Sequence, residues 1–268
     1  MIDIHTHLLP AIDDGPATER EAVEMARVAW ETGTREVVCT PHLMEGSEAS
    51  PQEVHEAVDR TRAALMKAKV PLQLHPGREI SLAWLPKMSD EQLRRSTYGG
   101  AGRWLLLEMP FAGWPTDLTG ILDDLMIRGF RAVLAHPERS PSVQRQPDRL
   151  RQAVGLGALL QVTASSFLGD HRPEAKRAAE ALARLGWMHL LASDAHSATW
   201  RPPDLGDGVS AAASALGTTP AEINWMVEAG PRALLAGRDF RPPRPAERPE
   251  LQEPGRRDSR GRAAHSRR

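Results

Sequence analysis

Short apolar runs alternate along this chain with longer amphipathic stretches. Runs of four to six mostly apolar residues at Ile2 to His5, Glu36 to Thr40, Leu72 to His75, Trp104 to Met109, Ala132 to Ala135, Ala158 to Val162 and His189 to Ala192 each predict a strand. The stretches Thr18 to Thr32, Pro51 to Lys69, Asp117 to Arg128, Gln146 to Val154 and Pro173 to Leu185 predict helices between them, with Val209 to Leu216 and Pro220 to Val227 after the last strand. Thr18 is followed three residues later by Glu21, a capping box, with apolar positions at Ala22, Val23, Ala26, Ala29 and Trp30. Strand and helix in alternation predict an α/β fold with a parallel sheet and helices outside it.

The polar residues that interrupt this pattern are of one chemical kind. His5 and His7, Asp13 and Asp14, His42, Glu79, Glu108, His136, Asp194 and His196 stand at or just past the ends of apolar runs. Alternate side chains of an extended strand share a face, so His5 and His7 present two imidazoles together. One such pair is weak evidence, but its repetition at strand after strand predicts a multinuclear metal centre, because buried imidazoles and carboxylates are costly unless paired or metal-bound. Almost every candidate ligand falls at a C-terminal strand end. That placement favours closure of the strands into a barrel, whose C-terminal mouth is where such folds carry their sites.

Composition narrows the class without choosing a reaction. The 268 residues are 41% hydrophobic but only 4% aromatic, so aliphatic side chains and alanine must fill the core. A formal charge of −1 gives no sign of a nucleic-acid binder, and no apolar stretch approaches the roughly 20 residues of a membrane span. With no signal-peptide pattern, these features predict a cytoplasmic protein without stable membrane insertion. The single cysteine, Cys39, leaves no intrachain disulfide framework. From Arg238 to Arg268 ten arginines face five acids amid five prolines, which predicts a disordered tail after a folded domain over 1–237.

The segments Met1 to Pro10, Ile12-Asp13-Asp14-Gly15, Cys39-Thr40-Pro41-His42, Pro76-Gly77-Arg78-Glu79-Ile80, Ala135-His136-Pro137-Glu138-Arg139 and Ala192-Ser193-Asp194-Ala195-His196 resemble the polymerase-and-histidinol-phosphatase (PHP) superfamily. Within it they are most similar to the bacterial manganese-dependent tyrosine-protein phosphatases of capsule and exopolysaccharide clusters, the CpsB/YwqE-type group. The resemblance runs from residue 1 to about residue 236 and implies a distorted seven-stranded (β/α) barrel with three metals at its C-terminal mouth. It makes Glu79 a bridge between two metals, with His5, His7 and Asp194 completing one site and Glu108 and His136 the next. Asp14, His42 and His196 would hold the third. It also implies Mn²⁺, whereas imidazole and carboxylate ligands alone leave Fe, Zn²⁺ and Mg²⁺ open.

Such a centre supports phosphoester hydrolysis, since two bridged cations activate a water toward phosphorus. Arg139 and Arg201, three and five residues beyond His136 and His196, are the expected phosphate-binding forks. Arg78 lies on the opposite strand face from Glu79, and Asp13 is placed to support a ligand from behind. A cysteine phosphatase needs an arginine six residues after its thiolate, and the residue there is Glu45. No Gly-x-Ser-x-Gly elbow, Walker loop or Gly-x-Gly-x-x-Gly turn is present. His55, His171 and His265 are expected at the surface and His75 and His189 in the core or at its rim, while Trp84, Trp114 and Trp200 are candidates to flank an aromatic substrate. The resemblance implies a phosphatase acting on the phosphorylated, Tyr-rich tail of a bacterial tyrosine kinase. A small-metabolite phosphatase of histidinol-phosphate type, a PHP nuclease and an inactive scaffold are the alternatives.

Overall fold

The helix over Glu19–Glu31 begins as its capping box predicts, with the Thr18 side chain taking the Glu21 N–H and the Glu21 carboxylate accepting the Thr18 N–H. Its buried face of Ala22, Met25, Ala26 and Ala29 packs on the helix over Pro51–Lys67. This computed structural model describes residues 1–110 and 112–243 of the chain.

Nine strands are present among the described residues, all paired in parallel. They are β1 (Ile2–Thr6), β2 (Glu36–Cys39), β3 (His42–Leu43), β4 (Gln73–Pro76), β5 (Glu79–Ser81), β6 (Trp104–Glu108), β7 (Arg131–Ala135), β8 (Leu159–Thr163) and β9 (Leu190–Ala192). They form a three-stranded sheet in the order β1-β2-β4 and a six-stranded sheet in the order β3-β5-β6-β7-β8-β9. All seven expected strands are therefore present, but the expected closed seven-stranded barrel is not.

The reason lies in two chain breaks and one weak seam. Pro41 has no N–H to give a ladder, so the second strand stops at Cys39 and restarts at His42. Gly77 breaks the neighbouring strand at the same level, and a Cβ there would stand 2.8 Å from Val38 Cγ1. On the far side, β1 meets the segment after β9 through a single bridge, Thr6 to Ala195. Yet the two sheets share an interior. Ile2, Ile4, Val38, Trp104, Leu106, Val133, Leu159 and Leu190 form one buried cluster drawn from both, while Leu105, Leu107, Leu134 and Leu160 lie under the helices. Strands buried on both faces explain the near-continuous apolar runs of the sequence.

Several helices differ from expectation at their ends. The segment read as Gln146 to Val154 is a 3-10 turn over Pro147–Leu150 followed by a helix over Arg151–Gly155, and the helix expected from Val209 starts earlier, at Leu205. No described helix is long and apolar enough to cross a membrane. Packing continues past Gly237, because the Trp104 indole N–H donates to the Arg238 carbonyl and Phe240 meets Trp225. From residue 244 onward the expected tail lies outside the described residues.

Candidate metal centre

The C-terminal strand ends converge, and with them the polar residues singled out in the sequence. Glu79 sits at the middle, fully buried, and its two oxygens face different neighbours. Oε1 is 2.7 Å from His136 Nε2, whereas Oε2 lies 2.9 Å from His42 Nδ1, 3.2 Å from His5 Nε2 and 3.4 Å from His7 Nε2. Asp194 Oδ1 stands 3.4 Å from His5 Nε2 and 3.5 Å from His7 Nε2. Glu108 approaches His42 at 4.0 Å, and Asp14 Oδ1 is 3.3 Å from His196 Nε2 and 3.6 Å from His42 Nε2.

These atoms sort into four overlapping groups: His5, His7 and Asp194; His5, Glu79 and His136; His42, Glu79 and Glu108; and His7, Asp14, His42 and His196. The partition differs in detail from the one the resemblance implies, since His42 also stands beside Glu79 and Glu108, and His7 beside Asp14.

The donor set fits bound cations. Glu79 Oε2, His42 Nδ1 and His196 Nε2 are buried without a hydrogen bond, although Oε2 and Nδ1 are only 2.9 Å apart. They approach without the alignment of donor and acceptor, as ligands do when their lone pairs aim at a common centre. His5 Nε2 and His7 Nε2 also face each other, nitrogen to nitrogen, at 3.2 Å. An all-nitrogen and oxygen set suits hard to borderline divalent metals.

Local backbone conformation serves this convergence. His136 and Asp194 both adopt left-handed φ, 31° and 54°, where non-glycine residues are strained. Each turns the chain sharply at a strand end and aims its side chain into the cluster. Gly15 of the Asp-Asp-Gly segment is required by contact, because a Cβ would stand 2.1 Å from the His7 carbonyl oxygen.

Neighbouring groups fix the rings. Asp13 Oδ2 is 2.6 Å from His7 Nδ1 and accepts the His42 N–H at 3.0 Å, so one carboxylate supports two candidate ligands. Gln161 Oε1 is 2.8 Å from His5 Nδ1. Gln161 carries no local signal, since it reads as one polar residue inside an apolar run. Burial alone would push the His7 imidazole down, but Asp13, Asp194 and Glu79 hold it well above its ordinary range. Burial, reinforced by Glu79, lifts the Glu108 carboxyl to about 7.

Arg139 and Arg201 both reach Asp194 Oδ2, the latter at 2.6 Å, so the two expected forks meet at one carboxylate oxygen. The Arg201 carbonyl accepts the His196 and Ser197 N–H groups, folding the 196–201 loop over the cluster and placing Trp200 6.0 Å from the His196 ring. Trp84 and Trp114 instead pack against the core, under Lys87 and Arg149. Arg78 is buried and donates to the Ala49 and His42 carbonyls, which fastens the His42 segment.

The other described histidines separate from the centre, and His265 lies outside the described residues. His75 pairs with Glu36 at 3.0 Å, His55 with the Arg95 carbonyl, and His189 accepts the Leu160 N–H. His171, expected at the surface, is half-buried and lines a recess of about 390 Å³ with Arg139, Trp200 and Arg201. Cys39 is fully buried on β2, and burial pushes its thiol up to about 12.

Residues 1–230 match the family described as capsular polysaccharide synthesis, CpsB/CapC. The chain is 31% identical over 255 residues to tyrosine-protein phosphatase YwqE of Bacillus subtilis, covering 94% of this chain and 98% of that protein. It is 27% identical over 223 residues to tyrosine-protein phosphatase CpsB of Streptococcus agalactiae, covering 77% of this chain and 87% of that one. A solved structure from work on YwqE of Bacillus subtilis and CpsB of Streptococcus pneumoniae, described as unique metal-dependent tyrosine phosphatases, superposes with a TM-score of 0.82 at 31% identity, over 92% of this chain and 100% of that chain.

Proposed function

The chain belongs to the CpsB/CapC capsular polysaccharide synthesis family, and from that membership and the geometry of its centre we propose that it is a metal-dependent protein-tyrosine phosphatase. The observation that carries the reading is the divided carboxylate of Glu79, one oxygen toward His136 and the other toward His5, His7 and His42. In this reading His5, His7, Asp194, Glu79, Glu108, His136, Asp14, His42 and His196 hold three Mn²⁺ ions, with Fe, Zn²⁺ or Mg²⁺ as substitutes. Divalent cations at such a site make water a nucleophile near neutral pH and neutralise charge on a phosphoryl group.

The chain's own residues supply position and selectivity. Arg139 and Arg201 turn from Asp194 Oδ2 toward phosphate oxygens, as bidentate guanidinium groups do. Trp200, 64% exposed, offers its face to an aromatic ring beside them. The substrate is the phosphorylated, Tyr-rich tail of a bacterial tyrosine kinase that governs capsule or exopolysaccharide synthesis, met in the cytoplasm. Neither a thiolate nor a serine nucleophile is needed, in keeping with the sealed position of Cys39.

A substrate panel tests the proposal. The Mn²⁺-loaded protein is expected to release phosphate from a phosphotyrosyl peptide well ahead of histidinol phosphate and to leave single-stranded DNA intact. Thorough chelation should abolish release and added Mn²⁺ restore it. Turnover that survives verified metal removal, or a preference for histidinol phosphate, would overturn the reading.

A further inference from the structure

The centre as described has groups to bind phosphate but none assigned to the departing oxygen of the ester. The recess beside Arg139 and Arg201 is also lined by Ser165, Asp170, His171 and Ser193, and of these the imidazole is the ring held by a neighbouring hydroxyl. His171 lines this recess, and its Nε2 lies 3.1 Å from Oγ of Ser165, the first residue of the short helix that follows β8. Its Nδ1 has no partner among the described residues. Burial, then the positive charges of Arg139 and Arg201, lowers the imidazole to about 4, so the ring is neutral near pH 7. The Ser165 hydroxyl can donate to Nε2, and that arrangement places the proton of the neutral ring on Nδ1.

We infer that His171 is a catalytic residue whose Nδ1–H donates a hydrogen bond to the ester oxygen of an aryl phosphate seated on Arg139 and Arg201. The inference rests on the phosphatase reading above and deepens it by naming the leaving-group contact. In the hydrolysis, the oxygen of water bonds to phosphorus and the phosphorus–oxygen ester bond breaks. Its electron pair leaves on the phenolic oxygen, which then takes a proton from solvent. His171 stabilises the charge growing on that oxygen and keeps its own proton, and Ser165 holds the ring in the orientation required. A fixed neutral donor aimed at developing charge is worth far more in the transition state than in the ground state.

The dependence on leaving group separates this role from a structural one. His171→Ala and His171→Asn are compared with the parent Mn²⁺ enzyme on aryl phosphates spanning a range of phenol acidity. His171→Ala should lose on the order of 10²-fold in kcat on phosphotyrosine, whose phenol is weakly acidic, and less than about tenfold on p-nitrophenyl phosphate. His171→Asn, which keeps a neutral N–H, should recover part of that loss. Binding of a peptide carrying phosphonomethyl-phenylalanine, in which a methylene replaces the ester oxygen, should be unchanged. An equal loss across the series, or a parallel loss of phosphonate affinity, overturns the assignment, and the asparagine variant decides the slope if the alanine variant does not fold. A parent enzyme active on simple aryl phosphates but not on the peptide would sink the protein substrate alone and leave the slope to judge His171. One inert toward every aryl phosphate overturns both.

Discussion

Gln161 Oε1 lies 2.8 Å from Nδ1 of His5, joining residues 156 positions apart inside the fold. A carboxamide oxygen can only accept, so His5 carries its proton on Nδ1 and presents Nε2 as a lone pair toward Glu79 and Asp194. Supports of this kind typically change metal affinity about 10 to 100-fold. Gln161→Leu is therefore expected to weaken metal binding by that factor while circular dichroism stays native. Titration with Mn²⁺ measures it, and unchanged affinity would remove Gln161 from the centre.

Arg139 and Arg201 share Asp194 Oδ2, and this sharing governs how their deletions combine. Each single alanine variant should cost on the order of 10²-fold in kcat/KM on phosphotyrosyl peptide, because a charged donor to the transferring group is lost. The double variant should lose less than the product of the two, since residues with a common partner are coupled. Strict multiplicativity, from steady-state kinetics on all four proteins, would mean the two act on separate groups.

Legibility in the sequence followed chemistry and periodicity. Candidate ligands such as His5 and Asp194 stood out because titratable residues at the ends of apolar runs have few bland explanations. The seven strands were readable because burial on both faces leaves uninterrupted apolar runs, as in Leu105 to Leu107. What escaped depends on contacts between distant segments. The breaks at Pro41 and Gly77 follow from how two neighbouring strands meet, and the seam between β1 and β9 rests on Thr6 and Ala195, far apart in the chain. The helix over Asp90–Ser96 carried a capping box at Ser89 and Gln92, a signal in plain view, but its seven residues were too few for a period to declare itself. His171 reads as a surface residue because nothing local reveals that Arg139 and Arg201 line a recess with it.

Cys39 and His136 test opposite mechanisms in one comparison. The Cys39 thiol, raised to about 12 by burial, stays protonated and unreactive at neutral pH. Cys39→Ser is expected to keep more than half of the phosphatase activity, and the native protein should resist thiol reagents until unfolded. His136→Ala, which removes the neighbour of Glu79 Oε1, should abolish turnover with the fold retained. An inactive serine variant beside an active alanine variant would return thiolate chemistry to contention.

His189 makes stability depend on pH away from the metal centre. Its Nδ1 accepts the Leu160 N–H at 2.9 Å at the start of β9, and burial lowers the imidazole from 6.5 to about 4. Nδ1 must be unprotonated to accept, so folding favours the neutral ring. The unfolded chain binds the proton first as pH falls, and the stabilisation present above about 6.5 is lost progressively toward pH 4. A shift of this size corresponds to about 3 kcal/mol at most. His189→Asn keeps an acceptor near the Nδ1 position and cannot titrate. Urea unfolding of both proteins between pH 7 and pH 4 should show the wild-type protein losing stability faster than the variant, by up to that amount at the acid end. Because both proteins carry the same buried acids, whose raised values act in the opposite sense, the difference between the two curves isolates His189, and parallel curves would refute the assignment.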